Sequence, residues 1–137
     1  MSEALTLHHL EYSQSFRILW MLEELGTPYE LIVYSRNAKT MAAPEHYKKL
    51  SPLGTAPVIT QGDLALAESS SIIDYILDRT PDQSLRPAID SPDRTRYLFW
   101  WHVTQGSMMP LQLMTTVTTI SQKRLPFFMN PFVKIYI

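Results

Sequence analysis

LTLHHLEYSQSFRILWMLEELGTPYELIVY, residues 5–34, divides into three pieces of different period. Residues 4–10 alternate and are rich in apolar types, which predicts a strand. From Ser15 to Leu25 the apolar positions Phe16, Leu19, Trp20, Leu22 and Leu25 fall at helical spacing. Gly26 stops that helix as the residue after its C-cap, with Pro28 just beyond. Residues 29–34, YELIVY, form a second strand, and a strand–helix–strand of this length implies a right-handed crossover with parallel pairing. The turn between first strand and helix carries Ser13. A helix N-terminus gathers unpaired N–H groups and a partial positive charge, so it stabilises an anion held there. A hydroxyl at that spot adds one more donor, which suits a thiolate or a carboxylate. Because the chain has no cysteine, a thiolate has to arrive on a ligand.

The rest of the chain extends the same pattern. Ser35 to Leu53 is polar, with a short helical piece around PEHYKKL. PVIT and LALA are short strands around Gln61-Gly62-Asp63, a hairpin signal. ESSSIIDYILDR reads as a helix capped at Glu68 or Ser69, with Ile72, Ile73, Ile76 and Leu77 as its buried stripe. Residues 1–90 hold 7 basic and 12 acidic side chains, residues 91–137 hold 5 and 1. That change of sign marks a module boundary near Asp90, and QSLRPAIDSP is the linker. The expected division is residues 1–82, a linker 83–91 and a helical part 92–137. Ser91-Pro92-Asp93 predicts a helix start, and that helix is expected to run to about Gln122 with a bend at Gly106 and Pro110.

Composition removes several function classes. At 137 residues and 45% hydrophobic content the chain can pack a core. A net charge of −1 predicts neither nucleic-acid binding nor a membrane surface. No apolar run approaches the roughly 20 residues that cross a bilayer. MSEALT has no basic region followed by an apolar one, so no secretory leader is expected. Zero cysteines exclude disulfides, a CxxC redox pair, thiolate zinc sites and a cysteine nucleophile, and a cytoplasmic address is expected from the same absence. His8 and His9 are adjacent on a strand and point to opposite faces, so they cannot share a metal. His46 and His102 have no partners at ligand spacing, and no metal site is expected. The four glycines are too scattered for a phosphate-cradling loop. Trp20, Phe99, Trp100 and Trp101, with the methionines around Met108, fit a core better than a cofactor box.

Three separated motifs, HHLEYSQSFRILWMLEELG, SPLGTAPVI and AESSSIIDYI, stand in one order along a β-α-β-α-β-β-α succession. In that order and spacing the chain resembles the N-terminal domain of cytosolic glutathione transferases, and the likeness continues into the first helices of their all-helical second domain. The first motif most resembles bacterial and fungal members that use a serine. The resemblance implies an α/β thioredoxin-like domain with a mixed four-stranded sheet, followed by an incomplete all-α domain. It implies glutathione as co-substrate with no other cofactor, a small apolar electrophile, and a homodimer. The family continues for several more helices, so an end at the apolar PFFMNPFVKIYI would leave the face of residues 97–120 exposed.

Carried onto this sequence, the family pattern assigns Ser13 as the donor that holds the glutathione sulfur as thiolate; on the residues alone, capping the helix is the commoner role for a serine there. Ser15 is the competing hydroxyl. Pro57, cis in thioredoxin-like folds, would expose the backbone around it, flanked by Ala56 and Val58, so that the Val58 N–H and C=O pair with the cysteinyl part of glutathione; on its own it marks a strand start. Glu68 and Ser69 would take the ammonium and α-carboxylate of the γ-glutamyl group, and on their own they read as an N-cap. Many relatives have lysine or glutamine where Thr55 stands, so Arg36, Lys39 or Lys49 is needed for the glycyl carboxylate. Gln105, Met108 and Met109 are the candidates for the electrophile. The resemblance also leaves open a non-catalytic glutathione-binding or protein-interaction module, and glutathione-dependent reductase or peroxidase chemistry.

Overall fold

The computed structural model describes residues 3–82 and 84–124. The chain divides between Arg86 and Pro87 into two compact units. The first runs β1 (Thr6–Leu10), α1 (Ser15–Glu24), β2 (Glu30–Tyr34), α2 (Glu45–Lys48), β3 (Val58–Gln61), β4 (Leu64–Ala67) and α3 (Ser69–Leu77). Its strands lie in the order β2-β1-β3-β4. β1 and β2 are parallel, with Thr6 opposite Glu30, whereas β3 is antiparallel to both β1 and β4. This is the mixed, thioredoxin-like sheet with its helices.

Local chemistry sets the ends of these elements. Gly26 takes φ +57°, its N–H donates to Glu23 O at 3.1 Å and the Thr27 N–H donates to Leu22 O at 3.0 Å. That pair of bonds is a Schellman closure, which needs a left-handed residue after the C-cap. Between β3 and β4 the paired ends are Gln61 and Leu64, so Gly62-Asp63 is a two-residue hairpin loop with the glycine at positive φ.

The core joins Leu5 and Leu7 of the first strand region, Ile18, Met21, Leu22 and Leu25 of the α1 region, Ile59, and Ile72, Ile76 and Leu77 of α3. The buried stripe of α1 is therefore 18, 21, 22 and 25. Phe16 and Trp20 stand on the opposite side, 66% and 53% exposed; the helical spacing fits two stripes, and the sheet covers the one through Ile18. A second cluster of Leu10, Tyr47 and Val58 packs with Tyr34, Ala43 and Ala56.

The second unit contains α4 (Arg94–Val103), a π-helical turn (Thr104–Met108) and α5 (Met109–Arg124). The π turn includes Gly106, one of the two positions where a bend is expected, and ends two residues before Pro110, whose missing N–H and ring cannot fit a regular ladder. Ser91-Pro92 precedes the helix as a turn: Ser91 Oγ accepts the Asp93 N–H at 3.2 Å and Ser91 O accepts the Arg94 N–H at 3.0 Å. Phe99 and Trp100 are exposed and meet edge to face at 5.3 Å, so they do not form the core expected of them. No residue of α4 is buried. The apolar stretch 126–137 lies outside the described residues.

Candidate functional site

Two helix N-termini of the first unit open onto one cavity of about 540 Å³. Its wall includes Tyr12, Ser13 and Gln14 at the entrance to α1, Glu68 and Ser69 at the entrance to α3, and Arg36 with Gly54, Thr55 and Ala56. Ser69 Oγ donates to Gln14 Oε1 at 3.3 Å, so the two entrances are tied to each other. Neither helix carries an acid in its first turn; the positive end of the α1 macrodipole faces the cavity, while the α3 end opens beside the Glu68 side chain at its N-cap.

Ser13 is half-buried, and its hydroxyl lies within the turn: Oγ donates to Leu10 O at 2.7 Å, accepts the Ser15 N–H at 3.2 Å and meets Ser15 Oγ at 2.7 Å. Ser15, the competing hydroxyl, is fully buried and absent from the wall. Its oxygen accepts the Leu10 N–H at 3.2 Å and lies 2.9 Å from His9 Nδ1.

Ala56–Pro57 is a cis peptide bond. Ala56 lines the cavity, whereas Val58 does not. Val58 is wholly buried and stands in register with His8 on one side and Ala67 on the other. An inner-strand residue has ladder neighbours on both sides, so the backbone edge at the cavity belongs to Ala56. Of the three cations considered for a carboxylate, Arg36 lines the cavity and Lys39 and Lys49 do not. Its Nε donates to Glu11 O at 2.7 Å and its NH1 group to Met41 O at 2.8 Å. Gln105 and Met108 fall in the π turn and Met109 begins α5, all in the second unit.

Backbone strain gathers here. Among the described residues, Tyr12, Met41 and Glu68 are the non-glycine positions at positive φ, at 53°, 57° and 73°. Two line the cavity, and the third presents the carbonyl that Arg36 binds. Such conformations cost about 1–3 kcal/mol each and cluster at ligand sites. Nothing in residue types such as Tyr or Glu signals positive φ, so this feature was invisible in the sequence, as was Gln14's link to Ser69.

Behind the wall, His8 is buried between Tyr34 Oη at 2.9 Å and Thr60 Oγ1 at 3.0 Å, and burial lowers its pKa from 6.5. Burial is also the main reason the Tyr47 phenol is pushed up to about 12; the neighbouring Tyr34 raises it further and Arg36 opposes the shift. No group of three or more His, Asp or Glu able to hold a metal occurs among the described residues.

The thioredoxin-like domain thus brings two helix N-termini, the residue before a cis proline and a serine turn to one cavity. Residues 13–79 match the family described as "Glutathione S-transferase, N-terminal domain". The chain is 36% identical over 134 residues to Glutathione S-transferase 3 of Schizosaccharomyces pombe, covering 97% of this chain and 54% of that one. A glutathione S-transferase structure from Actinobacillus pleuropneumoniae superimposes with a TM-score of 0.76 at 34% identity, covering 96% of this chain and 60% of that one. A theta class enzyme from Xanthomonas axonopodis pv. citri, solved with glutathione bound, gives 0.58 at 27% identity over 77% of this chain and 50% of its own. Residues 13–79 of this chain belong to the glutathione S-transferase N-terminal domain family, and the chain spans about half the length of the curated relatives it matches.

Proposed function

We propose that the cavity holds glutathione and that the chain carries the thiol-activating half of a glutathione transferase, which joins the sulfur to a small apolar electrophile. The observation that carries this reading is the convergence of Ser13, Ala56, Arg36, Glu68 and Ser69 on one wall. Glutathione has two carboxylates, one ammonium and a thiol. The α-carboxylate is assigned to the N-terminus of α3 at Ser69, and the ammonium to Glu68. The cysteinyl backbone is assigned to Ala56 as an added strand segment, and the glycyl carboxylate to Arg36. The sulfur then lies by Ser13 at the N-terminus of α1.

The thiol's unperturbed pKa is about 8.5, so about 3% is thiolate at pH 7. A hydrogen bond to a charged group contributes about 1.5–3 kcal/mol, equivalent to a drop of about 1–2 pKa units. Bound thiolate then rises to about 25–75% at pH 7. Ser13 forms no covalent bond: it donates to the sulfur, and the nucleophile is the ligand's own. For the electrophile the proposed contacts are Gln105, Met108 and Met109 of the helical unit, and the family's two-fold homodimer is part of the same reading. Retention on immobilised glutathione, followed by difference absorption of the bound thiolate at neutral pH, tests it. Binding with no thiolate signal, unchanged in Ser13→Ala, would overturn the catalytic part.

A further inference from the structure

We infer that Ser15 and His9 are positioning residues that aim the Ser13 proton at the ligand, through a directed chain His9 Nδ1–H, Ser15 O–H, Ser13 O–H, sulfur; this rests on the assignment of Ser13 proposed above. The argument is a count of protons. A serine hydroxyl has one proton to give and two lone pairs to fill. Ser13 Oγ accepts the Ser15 N–H at 3.2 Å and lies 2.7 Å from Ser15 Oγ. If Ser15 gives its proton across that contact, both Ser13 lone pairs are filled and the Ser13 proton points outward. It can then leave Leu10 O, 2.7 Å away, for a thiolate. If Ser13 instead donates to Ser15, it has nothing for the sulfur.

The outward direction places a demand one link further back. Ser15 Oγ accepts the Leu10 N–H at 3.2 Å, lies 2.9 Å from His9 Nδ1, and has a second acceptor for its proton in Leu10 O at 3.2 Å, longer than the 2.7 Å contact to Ser13. With its proton given across the shorter contact to Ser13, the contact with His9 needs a proton from the ring. His9 must therefore carry hydrogen on Nδ1. Three contacts, His9 to Ser15, Ser15 to Ser13 and Ser13 to sulfur, need three protons; the hydroxyls supply two and the imidazole the third. Ser15 is fully buried, so no competing water reaches its oxygen from bulk, and chained hydrogen bonds in such surroundings polarise one another. A helix-opening serine that only closed its turn would not require a particular histidine tautomer.

The test uses the whole chain with glutathione. Nitrogen-15 chemical shifts of His9 in the glutathione complex report which ring nitrogen is protonated, and the pH midpoint of bound-thiolate absorption is measured for the native chain, Ser15→Ala and Ser13→Ala. The expected result is a protonated Nδ1 and, in Ser15→Ala, a midpoint raised by about half a pH unit, a roughly threefold loss of thiolate near neutrality. Affinity for S-methylglutathione, which has no ionisable thiol, should stay within twofold. A bare Nδ1 lone pair in the complex overturns the chain even if Ser15→Ala fails to fold. So does a Ser15→Ala midpoint equal to native while Ser13→Ala shifts upward. A midpoint that Ser13→Ala leaves unmoved instead removes the assignment of Ser13 itself, and the chain with it.

Discussion

Replacing Arg36 with glutamine separates ligand recognition from scaffold support. Two of the five guanidinium N–H groups are given to the carbonyls of Glu11 and Met41, so the side chain ties the end of β1 to the loop before α2 while its charge lines the cavity. Losing a charged hydrogen-bonded partner to a carboxylate costs about 1.5–3 kcal/mol, which weakens glutathione binding about 10- to 150-fold. Losing the two carbonyl bonds costs about 1–2 kcal/mol of folding stability, a fall of about 4–16 °C in Tm for a unit of this size. Isothermal titration with glutathione and with γ-glutamylcysteine, which lacks the glycyl carboxylate, distinguishes the two effects. The native chain should prefer glutathione by at least tenfold, and Arg36→Gln should lose that preference. Arg36→Lys should keep part of it, since charge survives and the fork does not. The preference should shrink with added salt in the native chain only. If Arg36→Gln weakens both ligands by the same factor, the arginine acts on the loop alone and the carboxylate assignment is refuted.

Other perturbations read other parts of the account. Glu68→Gly should raise stability by up to about 1 kcal/mol, because relief of the φ +73° conformation outweighs glycine's entropy, while glutathione affinity falls at least tenfold; thermal melts and titration check both, and a less stable variant would contradict the strain argument. The lowered pKa of His8 means the unfolded chain binds more protons between that value and 6.5. Stability should therefore drop as pH falls through 6.5 toward the native value, and melts at several pH values should show a flatter slope in His8→Gln. Gly26→Ala should cost about 1 kcal/mol by denaturant unfolding. A Cβ there meets nothing within 4 Å, so the cost is one of φ alone.

Element order, the parallel β1–β2 pair and the β3–β4 hairpin were legible because period, glycine and proline all agree along residues 4–77, whereas the mixed four-stranded sheet followed only from the family resemblance. Gly26 illustrates this: its position after Leu25 and before Pro28 allows only a helix stop, and the Schellman bonds are its consequence. The face of α1 was not legible, since the apolar residues at 16, 18, 19, 20, 21 and 22 surround most of the helix and only the sheet's placement selects Ile18, Met21 and Leu22. The cavity wall shows the same division. Ser13, Glu68 and Ser69 stand at helix entrances, which chain pattern reveals. Arg36 stood level with Lys39 and Lys49 until the fold of residues 35–49 put only one of them on the wall. Ala56 and Val58 flank the same proline, and only ladder register shows that Ala56 is the one on the wall. His9 and Ser15 looked like a strand residue and a spare hydroxyl; their contact depends on how β1 turns into α1.

The central claim is that this fold ionises a bound thiol with a serine hydroxyl and a helix N-terminus. It is tested most directly by titrating the thiolate absorption of glutathione bound to the unaltered chain. A midpoint about 1–2 units below the free thiol's value of about 8.5 is the expected result; a bound thiol that titrates at its free value would contradict it.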